Sequence, residues 1–189
     1  MKKVVKIHGK SFEMTIPESV ILEKVKAVAE RINEDYAERN PVLVIVLSGA
    51  FVFAGDLIRM LRIPCQLSFC KIASYEGTYS TGKMIEQLSV TEDITDRDVI
   101  IVEDIVETGY SMQYLLSRLE THHPSSVEIC ALSCKPQKCM VPGLQVKYID
   151  VATSEVVALS GMSEFSRCVF GGREKLLWVE HLTSRFANP

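Results

Sequence analysis

Apolar residues gather along the chain in two kinds of run. Val42 to Leu47 and Val99 to Val102 are unbroken aliphatic stretches, a pattern that suits strands covered on both faces, as in the middle of a parallel sheet. Gln66 to Ile72 and Val127 to Leu132 read as further strands, and Met84 to Val90 alternates well enough for a strand returning from a loop. Helical periodicity lies between them. Pro17-Glu18 opens one helix, with Ile21, Val25, Val28, Ala29, Ile32 and Tyr36 on a single stripe, and Asn40-Pro41 stops it. Phe51 to Leu61 is a second helical stretch, and Met112, Leu115, Leu116 and Leu119 mark a third. Strands alternating with helices predict an α/β fold. Residues 4 to 16 alternate apolar and polar positions, notably Phe12, Met14 and Ile16, and predict small strands with one wet face.

The stretch that organises the chain follows the run Val99 to Val102. Glu103 and Asp104 come directly after it, at the carboxyl end of a buried strand, where open α/β sheets place their ligands. Glu107 follows, and then Thr108, Gly109, Tyr110 and Ser111 lead into the third helix. Small residues and a glycine let a backbone wrap an anion, and a helix N-terminus adds partial positive charge. The carboxylates suit a different task, accepting hydrogen bonds from sugar hydroxyls or binding magnesium directly or through its waters. Together they predict a site for a phosphorylated, polyhydroxylated ligand. The structural alternative is a solvated acidic turn capping a helix. Leu47-Ser48-Gly49-Ala50 makes a second strand-loop-helix turn, read from the residues alone as either a ligand loop or an ordinary tight turn. Ala73 to Lys83 is rich in Ser, Thr, Gly and Tyr, and is an exposed hairpin tip or a lid. Lys135, after the strand ending in Ser133-Cys134, is a solvated loop lysine or a donor to a carbonyl oxygen on a base ring.

Composition narrows the classes. At 189 residues and 47% hydrophobic, the chain fits one domain with a sizeable core. A net charge of −3 with no Lys/Arg run argues against a nucleic-acid partner. No stretch reads as a signal peptide or a membrane span, so a cytoplasmic protein is expected. Six cysteines, at 65, 70, 130, 134, 139 and 168, include no Cys-x-x-Cys pair, and Cys130 and Cys134, in an apolar strand and at its end, read as small hydrophobes. His122-His123 sit at a predicted helix end, which favours cationic side chains.

The stretch of apolar strand, Glu103-Asp104, two apolar residues, an acid and Thr108-Gly109 resembles the phosphoribosyl pyrophosphate signature of the type I phosphoribosyltransferases, most of all the hypoxanthine/guanine enzymes. The resemblance runs over roughly residues 5 to 150 and takes in Leu47-Ser48-Gly49-Ala50-Phe51, Ser74-Tyr75, Ser80-Thr81-Gly82 and Lys135-Pro136. Two residues depart from the signature: the family usually has Asp where this chain has Glu107, and often Lys where it has Tyr110.

That resemblance implies a five-stranded, mostly parallel sheet with helices on both faces, in a single domain spanning residues 1 to 189. The core would occupy about 18 to 150, with a small hood from about 1 to 17 and 151 to 189. It implies transfer of a 5-phosphoribosyl group from phosphoribosyl pyrophosphate to hypoxanthine or guanine, with release of pyrophosphate and a requirement for Mg2+. The backbone of Glu107, Thr108, Gly109, Tyr110 and Ser111 would hold the 5′-phosphate, with Val106 beside it. Glu103 and Asp104 would hold the ribose hydroxyls or the metal. Leu47, Ser48 and Gly49 would cradle pyrophosphate, with a cis peptide at Leu47-Ser48. Ser74 and Tyr75 would belong to a closing loop, Ile105 and Lys135 to the base site with Lys135 reading the 6-oxo group, and Glu107 would act at purine N7. In the last forty residues Val151 to Gly161 offers no aromatic where the family has one that stacks on the purine, and no Asp follows for the metal; the nearby candidates are Glu164, Phe165, Arg167 and Arg173, with Glu164 for metal and Arg167 and Arg173 for pyrophosphate. Trp178 and Val179 suggest a final strand. A homodimer or homotetramer is expected. The rival readings are a non-catalytic regulator that binds phosphoribosyl pyrophosphate or nucleotide on the same fold, and a phosphoribosyltransferase for another base such as xanthine or a pyrimidine.

Overall fold

The computed structural model describes residues 4–7, 10–14, 16–74, 84–149, 151–152, 157–158 and 175–176. In chain order the elements are β1 (Val4–Ile7), β2 (Lys10–Met14), α1 (Glu18–Asp35), β3 (Val42–Val46), α2 (Phe51–Met60), β4 (Gln66–Ser74), β5 (Met84–Leu88), β6 (Asp98–Val106), α3 (Tyr110–Glu120), β7 (Ser126–Cys134), β8 (Val151–Ala152), β9 (Val157–Ala158) and β10 (Lys175–Leu176). A 3-10 turn, Pro136–Lys138, follows β7.

The main sheet has the order β5-β4-β3-β6-β7-β8. Its five predicted strands are present, all parallel except β5, which pairs antiparallel with β4. A two-residue strand, β8, extends the sheet beyond β7. The aliphatic runs are buried on both faces because successive side chains point opposite ways. Leu43, Ile45, Ile100 and Val102 face α1 and α2, whereas Val42, Val44, Val99 and Ile101 face α3. Helices therefore cover both faces, as the sequence predicts. The stripe of α1 buries Ile21, Val25, Val28, Ala29 and Ile32, and the buried positions of α3 are Met112, Leu115 and Leu119. The N- and C-terminal segments meet in a second sheet, order β1-β2-β10-β9, in which β1 and β2 are antiparallel. Trp178 and Val179 lie outside the described residues; the strand seen there is Lys175–Leu176.

Strand order fixes where a ligand can sit. From β3 the chain crosses through α2 to β4 on one side, then returns to the other side of β3 as β6 and continues to β7. The crossovers leave β3 and β6 in opposite directions, and a crevice opens outside their carboxyl ends. The segment after β7 is fastened to α1 by Arg31, which donates to the carbonyls of Lys147 at 2.6 Å and Ile149 at 3.3 Å. The buried Tyr148 hydroxyl donates to Asp35 Oδ2 at 2.6 Å. Cys70 and Cys130 are wholly buried, and burial pushes the Cys70 thiol up to about 12.

Candidate active site

Three chain segments converge at the crevice. The first is the turn after β3, where Leu47-Ser48 is a cis peptide, the geometry the resemblance implies. Leu47 N–H still bonds the Cys70 carbonyl of β4 at 2.8 Å, and Ala50 N–H bonds the Val46 carbonyl at 3.2 Å, so the turn is closed before α2 begins.

The second segment is the end of β6. This strand runs on to Val106, pairing Glu103 with Ala131 and Ile105 with Ser133. The acidic pair accordingly stands at the carboxyl end of the strand, within its last four residues, and the strand runs past the aliphatic stretch Val99 to Val102. This extension has a physical cause: β7 continues alongside to Cys134, and its ladder holds the polar residues extended after β3 has ended at Val46. Glu103 is buried, with Oε1 accepting the Asp104 N–H at 2.9 Å, and Asp104 Oδ1 accepts the Ile105 N–H at 2.7 Å. Ile105 is partly buried against the α1/α2 core.

Residues 107 to 109 then bend into α3. Gly109 has φ 86°, in the left-handed region, and a Cβ there would lie 2.8 Å from Leu144 Cδ2 and 3.2 Å from Val141 Cγ2. Both backbone and space therefore demand glycine. The first N–H groups of a helix lack intrahelical acceptors, and no side chain caps α3, so the amides of this turn carry partial positive charge. The loop's outer side is braced by Met140 N–H, which bonds the Thr108 carbonyl at 2.9 Å. Tyr110 begins α3 and is exposed, with its hydroxyl 4.0 Å from Met140 sulfur.

The third segment follows β7. Lys135 N–H bonds the Val106 carbonyl at 2.9 Å, which draws this residue alongside the phosphate-type loop. Its side chain is buried, only 4% exposed for the residue, and its Nζ donates to Glu107 Oε1 at 3.0 Å. Lys138, in the 3-10 turn, donates to the same oxygen at 2.8 Å. The Lys138 hydrogen bond is the main influence holding the Glu107 carboxyl below the usual carboxylate range; partial desolvation opposes it, and Lys135 adds to it. Lys138 did not stand out in the sequence. Its signal was its distance of three residues from Lys135, since i and i+3 side chains eclipse in a 3-10 turn.

Glu103, Asp104, Glu107, Gly109 and Lys135 are thus brought to one end of the sheet, beside Leu47 to Gly49. Ser74 proves to be the last residue of β4, paired with Met84, and so belongs to a strand and not to the loop. Its neighbour β5 supplies the ladder that extends it. Tyr75, Glu164, Arg167 and Arg173 lie outside the described residues. Glu103 and Asp104, at the strand end, are each carboxylates of the kind that suits Mg2+, a hard cation usually held by one or two carboxylates plus substrate phosphates and waters. Among the described residues no larger cluster of His, Cys, Asp or Glu is arranged for a metal.

The phosphoribosyl transferase domain model matches residues 18–157, so the chain belongs to the phosphoribosyltransferase family. Among relatives, a hypoxanthine-guanine phosphoribosyltransferase of Streptococcus thermophilus is 37% identical over 140 residues, 72% of this chain and 77% of that one. A hypoxanthine-guanine-xanthine phosphoribosyltransferase of Tritrichomonas foetus is 35% identical over 115 residues, 61% of this chain, and the match spans 63% of that relative's length. A crystal structure of a hypoxanthine phosphoribosyltransferase from Staphylococcus aureus superposes with a TM-score of 0.75 at 26% identity, covering 85% of this chain and 94% of that one.

Proposed function

We propose that the protein transfers the 5-phosphoribosyl group of phosphoribosyl pyrophosphate to hypoxanthine or guanine, a purine-salvage reaction giving the nucleoside monophosphate and pyrophosphate. The observation that carries this reading is the pair Lys135 and Glu107, a cationic donor and a carboxylate acceptor 3.0 Å apart beside the loop of residues 107 to 111. A 6-oxopurine carrying its proton on N7 presents the complementary edge, with O6 accepting and N7–H donating. A 6-aminopurine presents a donor where Lys135 also donates, and a site built for one pattern rejects the other strongly.

In the reaction the bond from C1′ to a pyrophosphate oxygen breaks and the bond from C1′ to purine N9 forms. The N7 proton is given up towards Glu107, whose electron pair is available because the two lysines keep it ionised. Backbone amides of residues 107 to 111 hold the 5′-phosphate, Glu103 and Asp104 the ribose hydroxyls, and Leu47, Ser48 and Gly49 the pyrophosphate. Mg2+, held at Glu103 and Asp104 directly or through water, would neutralise charge on the leaving pyrophosphate.

The whole chain is taken as one catalytic unit, with the β1-β2-β10-β9 sheet as the hood. Tyr75 takes the lid role by its match to the family's loop, and Glu164, Arg167 and Arg173 take the metal and pyrophosphate roles as the nearby acid and cations of a segment that departs from the family's pattern. Association into a homodimer or homotetramer is supported by Leu67, Phe69, Ile85 and Leu88, apolar side chains left exposed on β4 and β5. A cytoplasmic location is supported by the free thiols of Cys65, Cys70, Cys130, Cys134 and Cys139.

Incubation with Mg2+, phosphoribosyl pyrophosphate and each of hypoxanthine, guanine, xanthine, adenine and uracil tests the reading. Monophosphate formation from hypoxanthine or guanine is expected. Turnover of xanthine or uracil alone reassigns the base, and nucleotide binding without turnover of any base makes the protein a regulator.

A further inference from the structure

Both lysines at the base site reach the same oxygen, Glu107 Oε1, which leaves Oε2 to meet a ligand proton. Their surroundings differ. The Lys135 side chain is 5% exposed and the Lys138 side chain 51%, so one points into the site and the other reaches it from the solvent rim. If Lys135 turns to donate to a base, Glu107 needs a second cation to remain an oriented anion. Lys138 supplies it, and it can do so because residue 107 is a glutamate: an aspartate carboxylate, shorter by one methylene, would stand about an ångström further from the 3-10 turn.

We propose that Lys138 is a positioning residue of the base site, holding the longer Glu107 side chain by Oε1 so that Lys135 is released to the base. It acts on substrate only through Glu107. Among the described residues, Lys135 after β7 and Lys138 in the following turn are the charged groups facing this carboxylate. The turn is itself fixed, since Lys138 N–H bonds the Lys135 carbonyl at 2.9 Å. The inference rests on the proposed base-transfer reaction for its consequence in catalysis, and on geometry alone for the clamp.

The test uses Lys138→Gln, Lys138→Arg, Glu107→Asp and the double variant Glu107→Asp/Lys138→Gln in the full chain. Titration of Glu107 by carboxyl 13C NMR, without substrate, reads the clamp directly: Lys138→Gln should move its ionisation to higher pH, and Lys138→Arg should restore it. For activity, Lys138→Gln should lower kcat/KM for hypoxanthine about fivefold, the scale of a half-exposed ion pair, with the KM for phosphoribosyl pyrophosphate unchanged. The acidic limb of the pH profile should move up with the NMR transition. In the Glu107→Asp background the added Lys138→Gln change should cost less than about twofold. An unmoved Glu107 titration, or equal losses in both backgrounds, overturns the clamp. A wild-type protein that turns over no base overturns the proposed reaction instead, while the NMR result still decides the clamp.

Discussion

Asp104 and Gly49 meet across the mouth of the crevice: a methyl group built on Gly49 would lie 2.7 Å from Asp104 Cγ and 2.9 Å from Oδ1. Real Cβ atoms do not approach a carboxylate so closely, so the turn after β3 and the acid at the end of β6 share one space that only a residue without a side chain leaves open. Gly49→Ala should force the Asp104 carboxylate to rotate, breaking its 2.7 Å bond from Ile105 N–H. Overpacking of this kind costs about 1 to 3 kcal/mol. Thermal unfolding should show that loss, and calorimetry should show weaker binding of phosphoribosyl pyrophosphate by about tenfold or more. An alanine variant that binds as tightly as the wild type would mean that Asp104 does not contact this ligand.

The strands were legible because Val42–Val46 and Val99–Val102 are aliphatic without interruption, and a run of that kind is stable only between two covered faces. Their ends were less so. The aliphatic run stops at Val102, yet the ladder to β7 keeps Glu103 to Val106 extended, and such pairing lies between residues nearly thirty apart. The strand position of Ser74 is hidden for the same reason, since its partner Met84 is ten residues further along the chain. The Gly49–Asp104 approach depends on the register of β3 against β6, which no local pattern encodes. Lys135 and Glu107 could be named from the family pattern, whereas Lys138 becomes visible only when the 3-10 turn sets it beside Lys135.

Tyr148 carries a prediction about stability and acidity. Its hydroxyl donates to Asp35, and this bond first, then Lys147, holds the Asp35 carboxyl below its usual range. A carboxyl with a depressed folded value contributes stability that is complete above its ordinary pKa and is lost as pH falls through the folded value. Asp35 is 45% exposed, so water replaces much of the bond, and Tyr148→Phe should cost about 0.5 to 1 kcal/mol at pH 7. For a chain of this size that lowers Tm by about 1 to 4 °C. Melting curves from pH 7 down to pH 3 should show the gap between wild type and variant closing in acid. A gap that stays constant would assign the loss to packing of the buried ring and not to the ionised Asp35.

Glu107 tests the acid-base step. General acid-base assistance typically contributes ~10² to 10⁴-fold, so Glu107→Gln, which keeps the shape but cannot take a proton, should reduce kcat within that range. Binding of phosphoribosyl pyrophosphate should change little, because backbone amides hold its phosphate. A Glu107→Gln variant with undiminished turnover removes this residue from the mechanism. It would then be a helix-terminal acid that balances two lysines.

Lys135 bears on which base is chosen. The residue is buried at the end of β7, its backbone N–H is fixed to the Val106 carbonyl, and its ammonium already has a carboxylate partner in Glu107. A buried lysine paired in this way could serve the fold alone, so the experiment must separate recognition from packing. If Nζ donates to the 6-oxo group, Lys135→Ala removes a charge-assisted hydrogen bond worth about 1.5 to 3 kcal/mol, roughly ten- to a hundredfold in kcat/KM for hypoxanthine and guanine. The affinity for phosphoribosyl pyrophosphate should be nearly unchanged, since no step of its binding passes through this side chain. Adenine supplies the control. The lysine opposes the exocyclic amine, donor against donor, so its loss should narrow the preference for hypoxanthine over adenine. Equal losses for base and phosphoribosyl pyrophosphate, with an unchanged hypoxanthine-to-adenine ratio and a lowered Tm, would make Lys135 a structural partner of Glu107 and leave base selection to another residue.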